Sequence, residues 1–381
     1  MFSLRIHSKL KSIGEDTNGS AMKIYGFLFV IFSLAEEAFG QRRLPTDSTI
    51  LYVGGQVHYG YIIAHRSSVR PLVMDSNPWG VSVEVSRLRF TQASWNTCNC
   101  YSQNGLVLMY FNFDNPEILG SSVSLVAFAE PNLSLGTFNI SLRTGLGLSY
   151  LTKVYDPDSN PQNVFFSSPL SGILLLQLTN RFWLSETFGI RLSAAYHHIS
   201  NGGSQQPNLG MNFPTVSIGA DYSIGRTKLI PREKRSVLGK PVQVNAGLFF
   251  TTRKISSDDD TRKPLFGLSV GFYKPFARMH GIGADVELAI DYSLKERNKQ
   301  SAEYIDHRVV SGLVKHHFLF GRFDFSQAIG FYLYKKYPTP NKIFQRYALE
   351  YRITKKIQIG FSLKAHLAVA EQMDVRAGYL F

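Results

Sequence analysis

Past the N-terminal region the chain is a succession of segments of about ten residues in which every second side chain is apolar, separated by polar, Gly-, Pro- or Asp-rich connections. Period-2 alternation makes strands with one apolar and one polar face. No apolar run beyond the N-terminus approaches the roughly 18 to 20 residues that a spanning helix needs, which excludes a polytopic helical membrane protein. Strands are expected near 50–65, 79–91, 105–112, 120–129, 136–152, 170–180, 188–200 and 213–225. A second set follows near 242–254, 265–274, 280–294, 308–319, 321–334, 344–353, 355–367 and 372–381. The total is even, as an antiparallel barrel with both ends on one side of the membrane requires. The predicted fold is all-β, a transmembrane β-barrel of about sixteen strands, closed either as one wide barrel or as two narrow ones.

The last strand has the cleanest pattern. Met373, Val375, Ala377, Tyr379 and Phe381 take one face, and Gln372, Asp374, Arg376 and Gly378 the other, which suits lipid outside and a polar lumen inside. A terminal Phe381 resembles the signal read by the outer-membrane assembly machinery, an expected partner. Met22-Lys23, the apolar stretch Ile24 to Leu34 and Ala35 to Gly40 read as the three regions of a secretory signal peptide, with the true start at Met22 and cleavage near Gly40. The expected organisation is a signal region at 1–40, a first barrel half at 41–225, a basic connector at 226–240 and a second barrel-like half at 241–381. The predicted location is the bacterial outer membrane.

The formal charge of +13, from 41 Lys plus Arg against 28 Asp plus Glu, favours an anionic partner. Nucleic acid is excluded by export and by the lack of any Lys/Arg-rich helix, zinc spacing or RNP-like motif, leaving phosphorylated lipid. Cys98 and Cys100, two residues apart, are awkward for a disulfide and too few for a closed metal site, so they read as a loop pair without chemistry. No metal and no cofactor is expected. His316 and His317, adjacent on a strand, should point to opposite faces; Asp258 to Asp260 read as a solvated loop, and Arg232 to Arg235 as a periplasmic turn, with contact to inner-leaflet phosphates as the alternative.

The chemistry lies on the seventh strand. Phe188, Ile190, Leu192, Ala194 and Tyr196 share the apolar face, and by period 2 so do His198 and Ser200, while Arg191 and His197 point into the lumen. A histidine and a serine are out of place on hydrocarbon unless they meet a headgroup or act as base and nucleophile. If the mature N-terminus is periplasmic, this strand ends at the cell surface, beside the lipopolysaccharide leaflet.

The run His198-Ile199-Ser200-Asn201, followed by Pro207-Asn208-Leu209-Gly210, resembles the signature of the outer-membrane lipid A 3-O-deacylases, the PagL family, close to H-x-S-N followed by P-N-x-G. The resemblance is strongest over 188–225, and the second half has no counterpart in that pattern. It implies an eight-stranded first half and a serine-dependent esterase that removes an ester-linked acyl chain from lipid A in the outer leaflet. Ser200 would be the nucleophile and His198 the base, with the Asn201 backbone N–H and the Asn208 amide serving the oxyanion. The family has a glutamate fourteen residues after the histidine that orients it; Asn212 stands there and would hold the imidazole with less support for its charged form. The alternative is a non-catalytic barrel: structural, lipopolysaccharide-binding or porin-like.

An internal echo links Phe188 to Ala194 with Ile359 to Ala365. In that register Val369 and Glu371 stand where the first copy has His198 and Ser200, so the second half carries no such pair.

Overall fold

The computed structural model describes residues 48–64, 66–132, 138–225, 233, 240–255, 261–299, 306–337, 341–366 and 369–381. The expected signal region, almost all of the 226–240 connector and Asp258 to Asp260 lie outside them. Among the described residues, sixteen strands form two closed antiparallel barrels of eight. The first comprises β1 (Ser48–Gly60), β2 (Trp79–Phe90), β3 (Ser102–Asn112), β4 (Ser121–Pro131), β5 (Phe138–Leu151), β6 (Leu170–Trp183), β7 (Phe188–Ser200) and β8 (Met211–Ile224), closed by β1 on β8. The second comprises β9 (Gln243–Lys254), β10 (Arg262–Pro275), β11 (His280–Asp291), β12 (Arg308–Phe320), β13 (Phe323–Lys335), β14 (Ile343–Arg352), β15 (Ile357–His366) and β16 (Val369–Leu380), closed by β16 on β9.

The alternation reads inside-out. On β2, Val83 and Val85 are each 58% exposed on the outer wall while Glu84 between them is 4% exposed in the lumen, the pattern of a strand whose solvent is lipid. An eight-stranded barrel has an interior that side chains can fill. In the first, Arg143, Arg181 and Arg191 interlock with Glu84, Glu130 and Asp221, all buried. Toward the end where β7 finishes, Met109, Phe111, Phe113, Phe166 and Phe213 continue the packing. In the second, Arg346 and Arg376 pair with Glu287 and Asp374. The two-by-eight closure thus leaves neither the single wide barrel nor its broad aqueous lumen, the premise of the porin-like alternative.

Three differences from the sequence reading have local causes. The helix Gln92–Cys98 occupies most of what reads as a long turn; Thr91 caps it by accepting from the Ser94 N–H at 3.0 Å. Asn99 then takes a left-handed conformation, φ 56°, which turns the chain back. Cys98 and Cys100 are therefore disulfide-bonded, with Cα atoms 5.0 Å apart, and the reading of a pair without chemistry is corrected. β11 stops at Asp291 instead of 294, because Asp291 Oδ1 accepts from the Ser293 N–H (2.9 Å) and hydroxyl (2.6 Å) and starts the helix Tyr292–Lys299. His316 and His317 do diverge: His317 is buried against Asp324 at 3.0 Å, whereas His316 Nε2 meets His280 Nδ1 at 3.0 Å on the outer wall.

The connections 113–120, 152–169 and 201–210 cluster at the end where β7 finishes, and the short 184–187 and the longer 91–101 lie at the other. In the second barrel 276–279, 321–322 and 353–356 are short at the end where the chain terminates, opposite the end that carries the helix Tyr292–Lys299. Short turns on the periplasmic side and longer loops outside are the habit of outer-membrane barrels.

Candidate functional site

β7 brings the key side chains out through strand parity alone. Tyr196 is exposed on the outer wall, His198 and Ser200 follow it half-buried on the same face, and Arg191 and His197 are fully buried in the lumen. The antiparallel register sets His198 directly opposite Asn212 on β8. His198 Nδ1 lies 2.6 Å from Asn212 Oδ1. An amide oxygen can only accept, so Nδ1 carries the proton and Nε2 carries the ring's lone pair.

Ser200 is held from the other side. Its Oγ accepts from the Gly202 N–H at 3.1 Å and from Asn208 Nδ2 at 3.1 Å. A hydroxyl has two acceptor positions and one proton; with both lone pairs engaged, the proton is the part left to give. Asn208 Oδ1 in turn accepts from the Asn201 N–H at 3.3 Å. The Asn201 side chain knots the loop, donating to Ser167 Oγ (2.9 Å) and Gln205 O (3.0 Å) and accepting from the Gly203 N–H (2.9 Å).

Glycines with positive φ make this turn possible. Gly202 has φ +67° and Gly210 φ +66°, a region that costs other residues about 1 kcal/mol or more. A Cβ on Gly210 would stand 3.0 Å from His198 Cε1 and 3.3 Å from Ser200 Cβ, so both side chains converge on one point of the backbone. The 152–169 loop braces the site loop through Leu209 N–H to Val164 O (3.1 Å) and Gly210 N–H to Phe165 O (3.3 Å). Within it, hydrogen bonds from the Ser159 N–H and hydroxyl and the Asp158 N–H hold the Asp156 carboxyl below its ordinary range.

All five residues singled out from the sequence, His198, Ser200, Asn201, Asn208 and Asn212, gather at this point. Asn201 departs in detail: its N–H is directed to Asn208 Oδ1, and it is the Gly202 N–H that reaches Ser200 Oγ. The signal for Gly202 was the glycine pair after Asn201, where a left-handed turn swings an N–H back. Ser167, thirty-four residues before Asn201, left no trace in the motif. The wall below the site is apolar, with Leu174, Tyr196 and Val216 exposed, and Gly172 pairs with Ser200 across β6 and β7.

The second barrel does not repeat the arrangement. Glu371, at a bulge between β15 and β16, pairs with Arg253 (3.1 Å), Lys364 (3.3 Å) and His366 (3.1 Å). Among the described residues, no group of three or more His, Cys, Asp or Glu could hold a metal ion.

Two family models match the chain. The lipid A 3-O-deacylase (PagL) model covers residues 79–221, which include every site residue above. The acyloxyacyl hydrolase C-terminal domain model covers 242–381, the half that had no counterpart in the motif pattern. A search of curated proteins found no match. Similar solved structures include the outer membrane enzyme PagL, 12% identical over 44% of this chain and 97% of that one, TM-score 0.31. Neisserial surface protein A is 12% identical over 45% and 96%, TM-score 0.30. A mutant of the monoaromatic hydrocarbon channel TodX is 10% identical over 88% and 91%, TM-score 0.17.

Proposed function

The chain belongs to the lipid A 3-O-deacylase (PagL) family of the bacterial outer membrane, and from that premise we propose that it hydrolyses an ester-linked acyl chain of lipid A with Ser200 as nucleophile and His198 as base. The observation that carries this reading is the doubly anchored Ser200 hydroxyl on the lipid-facing wall, beside an imidazole whose Nδ1–H is tied to Asn212.

The steps follow from those contacts. Ser200 Oγ attacks the ester carbonyl as its proton passes to His198 Nε2. The Gly202 N–H and the Asn208 amide turn to the carbonyl oxygen as it becomes an oxyanion, each worth roughly 3 to 4 kcal/mol. Collapse expels the sugar hydroxyl, which takes the proton back from the imidazolium and leaves an acyl-Ser200 ester. Water, deprotonated by His198, then releases the fatty acid and restores the serine. The acyl chain lies against Leu174, Tyr196 and Val216, and the sugar stands at the height of the loops.

Mass spectrometry of lipid A from cells making the protein tests this. The expected spectrum has a species lighter by one acyl chain; lipid A identical to that of cells lacking the protein would overturn the reading in favour of a non-catalytic, lipopolysaccharide-binding barrel.

Asn212 is the specific ground for that second reading, because a neutral amide gives the imidazolium less support than a carboxylate. Asn212→Asp is accordingly expected to raise kcat/KM about tenfold, and Asn212→Leu, which removes the acceptor, to lower it on the order of 100-fold. Equal rates for all three proteins in a lipid A micelle assay would show that Asn212 does not orient the base.

A further inference from the structure

The second barrel touches the site. A Cβ added to Gly202 would fall 2.7 Å from Met373 Cε and 3.8 Å from its sulfur, so the methionine methyl packs on the glycine itself. Gly202 is the residue whose N–H holds Ser200 Oγ. Met373 sits on the outward face of β16, where the Thr251 hydroxyl donates to its carbonyl at 2.5 Å. A contact at the opposite end agrees with this placement: a Cβ on Gly321, in the turn between β12 and β13, would stand 3.4 Å from Thr97 Cγ2 of the helix Gln92–Cys98. Loop-end residues of one barrel meet loop-end residues of the other, and turn-end meets turn-end, as two barrels sharing one bilayer require.

We infer that Met373 is a positioning residue of the site, contributed by the second barrel: it buttresses the Gly202 peptide and walls the space beside Ser200. The inference rests on the deacylase reading and assigns the second barrel a part in it. Methionine suits the task, since its unbranched thioether fills an irregular gap and yields to a moving lipid chain. The close approach also explains why position 202 takes no side chain: besides its φ of +67°, there is no room. Removing the buttress frees the Gly202 N–H to swing from the nucleophile. A misplacement on the order of 1 Å costs as much as 100-fold in rate, and a partial loosening of the peptide costs correspondingly less.

Two measurements test it. Met373 is replaced by the photocrosslinker p-benzoyl-L-phenylalanine in the full chain, irradiated in isolated outer membranes, and the product is mapped by peptide mass spectrometry. A crosslink within 201–205 is expected; its absence overturns the contact. Met373→Ala is then expected to lower kcat on vesicle-borne lipid A about tenfold, with KM changed less than about twofold and Met373→Leu restoring most of the rate. An alanine variant with the parent's kcat overturns the positioning role even if the crosslink forms. A parent protein without activity defeats the deacylase reading instead, and the crosslink still decides whether the second barrel meets the Gly202 loop.

Discussion

Ser200→Ala is expected to lower lipid A deacylation by about 10⁴-fold or more while the barrel assembles normally. The size of the effect follows from the division of labour at the site. Alanine removes the atom that forms the acyl-enzyme and leaves the Gly202 N–H and the Asn208 amide in place, so only residual oxyanion stabilisation remains. Ser200 is half-buried at a strand end and its hydroxyl meets only loop donors, so the fold loses little. The measurement is the rate of fatty acid release from lipid A vesicles, with heat-modifiable migration in a gel as the control for assembly. A folded alanine variant within about tenfold of the parent would remove Ser200 from the chemistry, whatever else the family match implies.

Arg143→Met is expected to destabilise the first barrel by about 3 to 5 kcal/mol. Arg143 is completely buried, reaches Glu84 at 2.6 Å and Glu130 at 2.5 Å, and lies 3.8 Å above the Phe128 ring. Three arginines face three carboxylates in this cluster, so it is neutral as a whole. Methionine fills much of the same volume but leaves one uncompensated negative charge, shared by Glu84 and Glu130, inside a wall with no access to bulk water. The double variant Arg143→Met with Glu130→Gln restores the balance and is expected to recover part of the loss, a coupling that separates charge from packing. Urea unfolding in lipid vesicles reads the effect. A single variant within about 1 kcal/mol of the parent would mean that water or a counter-ion reaches the lumen and that the ion network is not sealed.

Much of the site follows from strand parity, which is why it is legible in the sequence. Once β7 alternates, His198 and Ser200 must leave the barrel on the lipid side, and the antiparallel β7–β8 register then sets Asn212 across from the imidazole. Contacts made by φ or by distant loops are not legible in this way. The Gly202 N–H at the nucleophile depends on a left-handed turn, the brace from Ser167 on a separate loop, and the Met373 contact on the other barrel. The disulfide between Cys98 and Cys100 belongs to the same group, since the left-handed Asn99 that closes it appears only when the helix before it is in place.

The strand count and the lipid-facing and lumen-facing sets were determined by the amino-acid order alone, because side-chain period is a local property that every residue of a strand obeys. How sixteen strands close was not, because the hydrogen bonds that seal a barrel join its first strand to its last, and alternation is the same for one circle of sixteen as for two of eight. The tertiary structure decided that closure, pairing β1 with β8 and β9 with β16. It also brought Met373 to Gly202, across 170 residues that local pattern does not bridge.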